Sequence, residues 1–123
     1  MQHVLLVDDD DDLRIVGEMA LASVGGFDVR CASSGEQGLQ MVHERAPDVI
    51  LLDVMMPGLD GPQVFERLRS DPSTAAIPVI FMTAKIQTHE LEQYRALGAS
   101  GVIPKPFDPM TLADEVRALV SEL

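Results

Sequence analysis

Four consecutive apolar residues, Val49-Ile50-Leu51-Leu52, are closed by a carboxylate at Asp53 and, a few residues later, by the turn-forming pair Pro57-Gly58. A strand with one wet face alternates apolar and polar side chains. An unbroken run is instead buried on both faces and belongs in the middle of a parallel sheet. This stretch therefore points to a layered α/β architecture before any other residue is considered. A charge at the carboxyl end of such a strand is costly unless something there uses it, and in open α/β sheets that end is where ligands bind. Taken alone, Asp53 reads equally well as a strand-terminating carboxylate that caps a turn.

The same design recurs along the chain. Val4-Leu5-Leu6-Val7 runs into Asp8-Asp9, Pro78 to Met82 into Thr83, and Gly101 to Pro104 into Lys105. Phe27 to Ala32 is a further strand, more polar and so less deeply placed. The intervening segments carry helical spacing and helix signals. Asp11 is the expected N-cap of a first helix through Leu13, Val16, Ala20 and Val24, which Gly25-Gly26 ends. Ser34 and Gln37 have capping-box spacing for a second helix reaching about Arg45. Asp60 caps a third through Val64, Phe65 and Leu68. Thr88 opens a fourth with Leu91, Tyr94 and Leu97, stopped by Gly98. Asp108 as N-cap, with Pro109 at the first helical position, starts a fifth through Leu112, Val116 and Leu119. Five strands alternating with five helices over short connections predict a doubly wound (βα)5 domain, its parallel five-stranded sheet covered on both faces by right-handed crossovers. Pro104 cannot donate to a ladder, which places the last strand at an edge.

Composition narrows the function. The chain's 123 residues suit one domain spanning 1–123, although a piece of a longer protein reads identically. Its one cysteine, Cys31, lies in a strand and fits a small core residue in a reducing compartment. No run approaches a membrane span, and the expectation is a soluble, cytosolic protein without membrane contact. With 20 acidic against 9 basic residues, the net charge of −11 argues against direct binding to nucleic acid. General solubility accounts for most of that excess, but not for five aspartates in a row at positions 8–12.

In such a sheet the carboxyl ends of all strands open on one edge. Asp8, Asp9, Asp53, Thr83 and Lys105 each fall at or just after a strand end and are expected to meet in one crevice. A lone Lys105 would be an ordinary solvated lysine, and a lone Thr83 an ordinary strand residue; their coincidence at separate strand ends argues for a site. Three ionised carboxylates in a small volume require a cation, and hard oxygen donors with room for water suit Mg²⁺.

Val7-Asp8-Asp9, Asp53 with Met56-Pro57-Gly58-Leu59-Asp60-Gly61, Thr83-Ala84 and Lys105-Pro106-Phe107 together resemble the receiver domain of bacterial two-component response regulators, over essentially the whole chain. The resemblance implies the flavodoxin-like strand order 2-1-3-4-5. It also implies that Asp53 takes a phosphoryl group from a sensor histidine kinase or a histidine phosphotransfer protein and then alters a surface read by a downstream protein. Asp9, Asp53 and the backbone carbonyl of Met55 would ligate Mg²⁺, with Asp8 acting mainly through water. Lys105 and Thr83 would bond to the phosphoryl oxygens, and the Lys105-Pro106 bond would be cis. The family often carries an aromatic residue where this chain has Val102. The expected response to phosphorylation therefore moves to the Ala84–Thr88 connection and the start of the fourth helix, with little at Val102 itself and Tyr94 in a static packing role. Two other classes fit the residues less well. A Mg²⁺-dependent phosphohydrolase using Asp53 as nucleophile lacks a cap insertion and a second general acid, and a phosphorylation-independent interaction module does not need Asp53, Thr83 and Lys105 intact.

Overall fold

The computed structural model describes residues 2–84 and 88–120. Strands β1 (His3–Val7), β2 (Asp28–Ala32), β3 (Val49–Asp53), β4 (Val79–Thr83) and β5 (Gly101–Pro104) form one parallel sheet in the order β2-β1-β3-β4-β5. Helices α1 (Asp11–Met19), α2 (Gly35–Glu44), α3 (Gly61–Ser70), α4 (Thr88–Leu97) and α5 (Leu112–Leu119) alternate with them. The expected α/β, flavodoxin-like architecture is present, with β5 and its proline at an edge. Pairing survives Pro104 because the next amide, of Lys105, donates to the Thr83 carbonyl at 2.9 Å. The Lys105-Pro106 bond is cis, as expected.

Alternation along the strands sorts their side chains into two cores. Val4, Leu6, Leu51, Ile80, Met82 and Ile103 pack with Ala20, Leu21, Leu112 and Val116 on one face. Leu5, Val7, Ile50, Leu52 and Phe81 pack with Val42, Val64, Phe65 and Leu68 on the other. Every residue of β1, β3 and β4 is buried, whereas β2 is mostly half-buried, as its polar positions required. Tyr94 and the half-buried Val102 rest on the second core. The Tyr94 ring lies 4.8 Å from that of Phe81, which is a packing role. Cys31 is half-buried against the first core, and burial pushes its thiol up to about 11.

Several helix starts and faces differ from the expectation. The N-cap of α1 is Asp10, whose carboxylate accepts from the amides of Asp12 (3.0 Å) and Leu13 (3.2 Å); Asp11 is already in the first turn. The buried stripe of this segment contains Gly17, Ala20 and Leu21, while Val16 and Val24 are 41% and 50% exposed. Gly17 lets the helix backbone lie on Leu6, whose Cδ2 is 2.7 Å from where a Cβ would stand. From Ala20 to Val24 the helix widens to a π form, with Gly25 N–H bonded to the Ala20 carbonyl at 3.2 Å, which turns Val24 outward. At α2 the capping box is half made. Ser34 accepts from the Gln37 amide, but the Gln37 carboxamide reaches back to Ser33. At α3 the Asp60–Gln63 box is complete. Helix α5 starts at Leu112 rather than after Asp108, because Asp108 to Thr111 form a turn: the Asp108 carboxylate binds the Met110 amide and its carbonyl binds those of Thr111 and Leu112. Leu97, expected on an apolar stripe of α4, is 55% exposed. Most of the Ala84–Thr88 connection, where the response to phosphorylation was expected, lies outside the described residues.

Candidate functional site

Strand register assembles the site. Val7 pairs with Leu52 and Asp53 with Met82, so Asp8 and Thr83 flank the end of β3 on its two sides. Thr83 in turn pairs with Pro104, and Lys105 follows directly. Asp8 is completely buried, Asp53 is 3% exposed and Thr83 is 6% exposed. Asp9 faces solvent. The residues singled out at four strand ends thus do share one edge of the sheet.

The polar contacts are specific. Lys105 Nζ donates to Asp8 Oδ2 at 3.1 Å and lies 3.1 Å from Asp53 Oδ1. Asp8 Oδ1 accepts from the Asp10 amide at 2.9 Å, and Asp53 Oδ1 from the Met55 amide at 3.4 Å. Burial and the adjacent Asp8 charge push the Asp53 carboxyl up to about 6, against the opposing pull of Lys105. Burial works against the Lys105 ammonium, but Asp8 and then Asp53 outweigh it and raise its pKa.

One carboxylate oxygen from each of Asp8, Asp9 and Asp53 lies within 4.8 Å of the other two. Like charges about 4 Å apart repel by roughly 4 kcal/mol at an effective dielectric constant of 20, and one ammonium cannot offset three such charges. An all-oxygen donor set with one exposed member, leaving room for water, fits Mg²⁺. Met55, whose carbonyl the family resemblance added to this set, is in the turn after β3 and is 77% exposed.

Two loops carry these groups, and each is held from outside. In the β3–α3 loop Gly61 is obligatory, since a Cβ there would lie 2.5 Å from the Asp53 carbonyl oxygen. Gly58 adopts φ +76° beside the Glu36 carboxylate, and Glu36 Oε1 accepts from the Leu59 amide at 3.0 Å. In the β1–α1 loop the Arg14 guanidinium donates to the Asp8 carbonyl at 2.6 Å and pairs with Asp11. Sequence reasoning missed Arg14 and Glu36. The only available signal was an arginine three residues after Asp11 on a helix, and it does not reveal the bond to Asp8.

A family model for the response regulator receiver domain matches residues 4–117. A probable transcriptional regulator, ycf27, of Guillardia theta is 38% identical over 119 residues, 97% of this chain and 45% of that protein. The DNA-binding response regulator MtrA of Mycolicibacterium smegmatis is 38% identical over 117 residues, 95% of this chain and 50% of its own length. The chain thus spans about half the length of the curated relatives it matches. Among solved structures, the chemotaxis protein CheY4 of Vibrio cholerae superposes with a TM-score of 0.90 at 28% identity, over 98% of this chain and 99% of that one. A response regulator of Chloroflexus aurantiacus gives 0.88 at 33% identity, over 98% of both chains. With the sheet order, the acidic crevice and these matches in agreement, the chain belongs to the response regulator receiver domains, the aspartate-phosphorylated signalling switches of two-component systems.

Proposed function

We propose that Asp53 is the phosphoacceptor of this switch. The observation that carries the reading is the buried Asp53 carboxylate at the end of the central strand, 3.1 Å from the Lys105 ammonium and grouped with Asp8 and Asp9. In the reaction an Asp53 oxygen attacks phosphorus while the P–N bond of a phosphohistidine donor breaks, its electron pair leaving with the imidazole. No general base is needed, because a carboxyl with a pKa of about 6 is already mostly ionised at neutral pH. Lys105 follows the phosphoryl oxygens as charge moves onto Asp53, and the Thr83 hydroxyl donates to one of them. Catalysis of this kind is positioning and charge neutralisation. Asp9, Asp53 and the Met55 carbonyl would hold Mg²⁺, with Asp8 acting through water; when bound, the ion neutralises charge on the carboxylates and the phosphoryl oxygens. Loss of the phosphoryl group would use the same residues, with water attacking phosphorus.

The donor is a sensor histidine kinase or histidine phosphotransfer protein, and the product alters a surface read by a downstream protein. MtrA, twice as long as this chain, is named as DNA-binding; the −11 charge of this chain supports a receiver whose own surface avoids the phosphate backbone. Among the described residues no helix is long and apolar enough to cross a membrane. We place the exchange in the cytoplasm, where a half-buried free thiol such as Cys31 stays reduced. Incubating the protein with excess phosphoramidate and Mg²⁺ tests the reading against a phosphohydrolase. A switch accumulates at most one phosphoryl group per chain and does not turn over a generic phosphate ester. Sustained release of phosphate from such an ester would overturn it.

A further inference from the structure

Arg14 takes no direct part in the phosphoryl transfer, and its placement is specific. Its Nη1 donates to the Asp8 carbonyl at 2.6 Å, and its Nη2 pairs with the Asp11 carboxylate. The bond to Asp8 is the sheltered one, since the Arg14 side chain is 18% exposed and that of Asp11 is 84% exposed. The backbone of Asp8 is thereby gripped from two directions: its amide donates to Ala32 on β2 at 3.1 Å, and its carbonyl receives the guanidinium from α1. On the far side of Asp9, the Asp10 amide is fixed on Asp8 Oδ1 and the Asp10 carboxylate caps α1. Asp9 itself is exposed, and among the described residues its carboxylate makes no hydrogen bond, so its position is set by these neighbours.

We propose that Arg14 is a positioning residue for the cation site: it fixes the Asp8–Asp11 turn, so that Asp9 needs little further ordering when Mg²⁺ binds. The inference rests on the reading of Asp8, Asp9 and Asp53 as the Mg²⁺ site. A cation beside that site also repels a dication, which opposes the effect. Arg14 carries its own counter-charge in Asp11, so the pair is nearly neutral from a distance and the geometric contribution prevails. Two acceptors in different directions, a backbone carbonyl and a carboxylate, suit a planar fork of donors; a lysine ammonium cannot span both in the same way. The clamp therefore depends on shape as well as charge.

Mg²⁺ alone is the probe. Affinity is measured by calorimetric titration of wild type, Arg14→Gln, Arg14→Lys and Asp11→Asn, and amide exchange of residues 8–11 is followed with and without chelator. Arg14→Gln is expected to bind Mg²⁺ about three- to tenfold more weakly, the equivalent of ordering one further side chain on binding. Arg14→Lys, which keeps the charge, should recover only part of that loss. In chelator the amides of residues 8–11 should exchange faster in Arg14→Gln, and Mg²⁺ should restore their protection. The surface change Asp11→Asn guards against misfolding of the arginine variants. It should weaken binding in the wild-type background and have little effect once Arg14 is Gln, because the two act as one unit. Unchanged or tighter Mg²⁺ binding by Arg14→Gln, with wild type binding normally, overturns this inference and leaves the acceptor site standing. A wild type that binds no Mg²⁺ overturns the reading of the acidic site, and this inference with it.

Discussion

At the scale of single residues, the site groups were legible because each is a polar side chain closing an apolar run. Asp8, Asp53, Thr83 and Lys105 announce themselves by breaking a pattern, and parallel topology then carries them to one edge. Arg14 and Glu36 were not legible, because their partners are backbone groups, the Asp8 carbonyl and the Leu59 amide, which have no signature in a sequence. The residue that most defines the site also weakens the fold. Asp53 has a folded pKa raised from 3.8 to about 6, so the folded state holds its proton more firmly than the unfolded chain does. Ionising Asp53 therefore costs stability; that cost is absent below pH 3.8, grows as pH rises toward 6 and persists above it. In chelator, Asp53→Asn should raise the unfolding free energy at neutral pH by about 1–3 kcal/mol, and the gain should shrink on acidification toward pH 4. Thermal melts across pH check this; a gain that does not change with pH would show that relief of charge is not its cause.

At the scale of elements, the strands were read more accurately than the helix ends. An apolar run has to be buried wherever it stands, whereas five consecutive aspartates offer several equivalent caps. The chain selects Asp10, whose carboxylate reaches the amides of Asp12 and Leu13. Asp108 likewise caps a turn that leads into α5 rather than the helix itself. The face of α1 was misjudged because Gly17 adds nothing to an apolar stripe, yet it is the point of closest approach to Leu6. Gly17→Ala should accordingly destabilise the protein by about 1–3 kcal/mol through overpacking, in spite of the better helix propensity of alanine. A chemical denaturation midpoint equal to or above that of wild type would contradict the packing reading. A second tie joins α2 to the α3–β4 loop: His43 Nε2 lies 2.9 Å from the Asp71 carboxylate, and His43 Nδ1 lies 2.8 Å from the Leu39 carbonyl. Asp71 raises the His43 pKa, and His43 holds that of Asp71 down to about 2. The stabilisation from the raised histidine is full below pH 6.5 and is lost as pH rises through its folded value; that from the aspartate is full above 3.8 and is lost toward 2. The melting-temperature deficit of His43→Gln should therefore be largest near pH 5 and fade in alkaline solution. A deficit that grows with pH would refute the assignment. Both groups are well exposed, so the effect is small and sensitive to salt.

At the scale of the whole molecule, the fold brings Asp8, Asp9 and Asp53 to the edge where an α/β sheet binds ligands, and sets Lys105 among them. The arrangement is held by residues whose geometry is fixed before any partner arrives: Gly61 beneath Asp53, Glu36 on the β3–α3 loop and Arg14 on the β1–α1 turn. The charge state of one carboxylate is thereby coupled to two loops and, through Lys105, to the last strand. A domain of this design gains its signalling value from a covalent change at a point where its own electrostatics are already under tension. The central claim is that this point is Asp53, and intact-mass measurement after incubation with phosphoramidate and Mg²⁺ tests it most directly. One added phosphoryl group is expected on wild type, none on Asp53→Asn and none on wild type in chelator; equal labelling of wild type and Asp53→Asn would contradict the assignment.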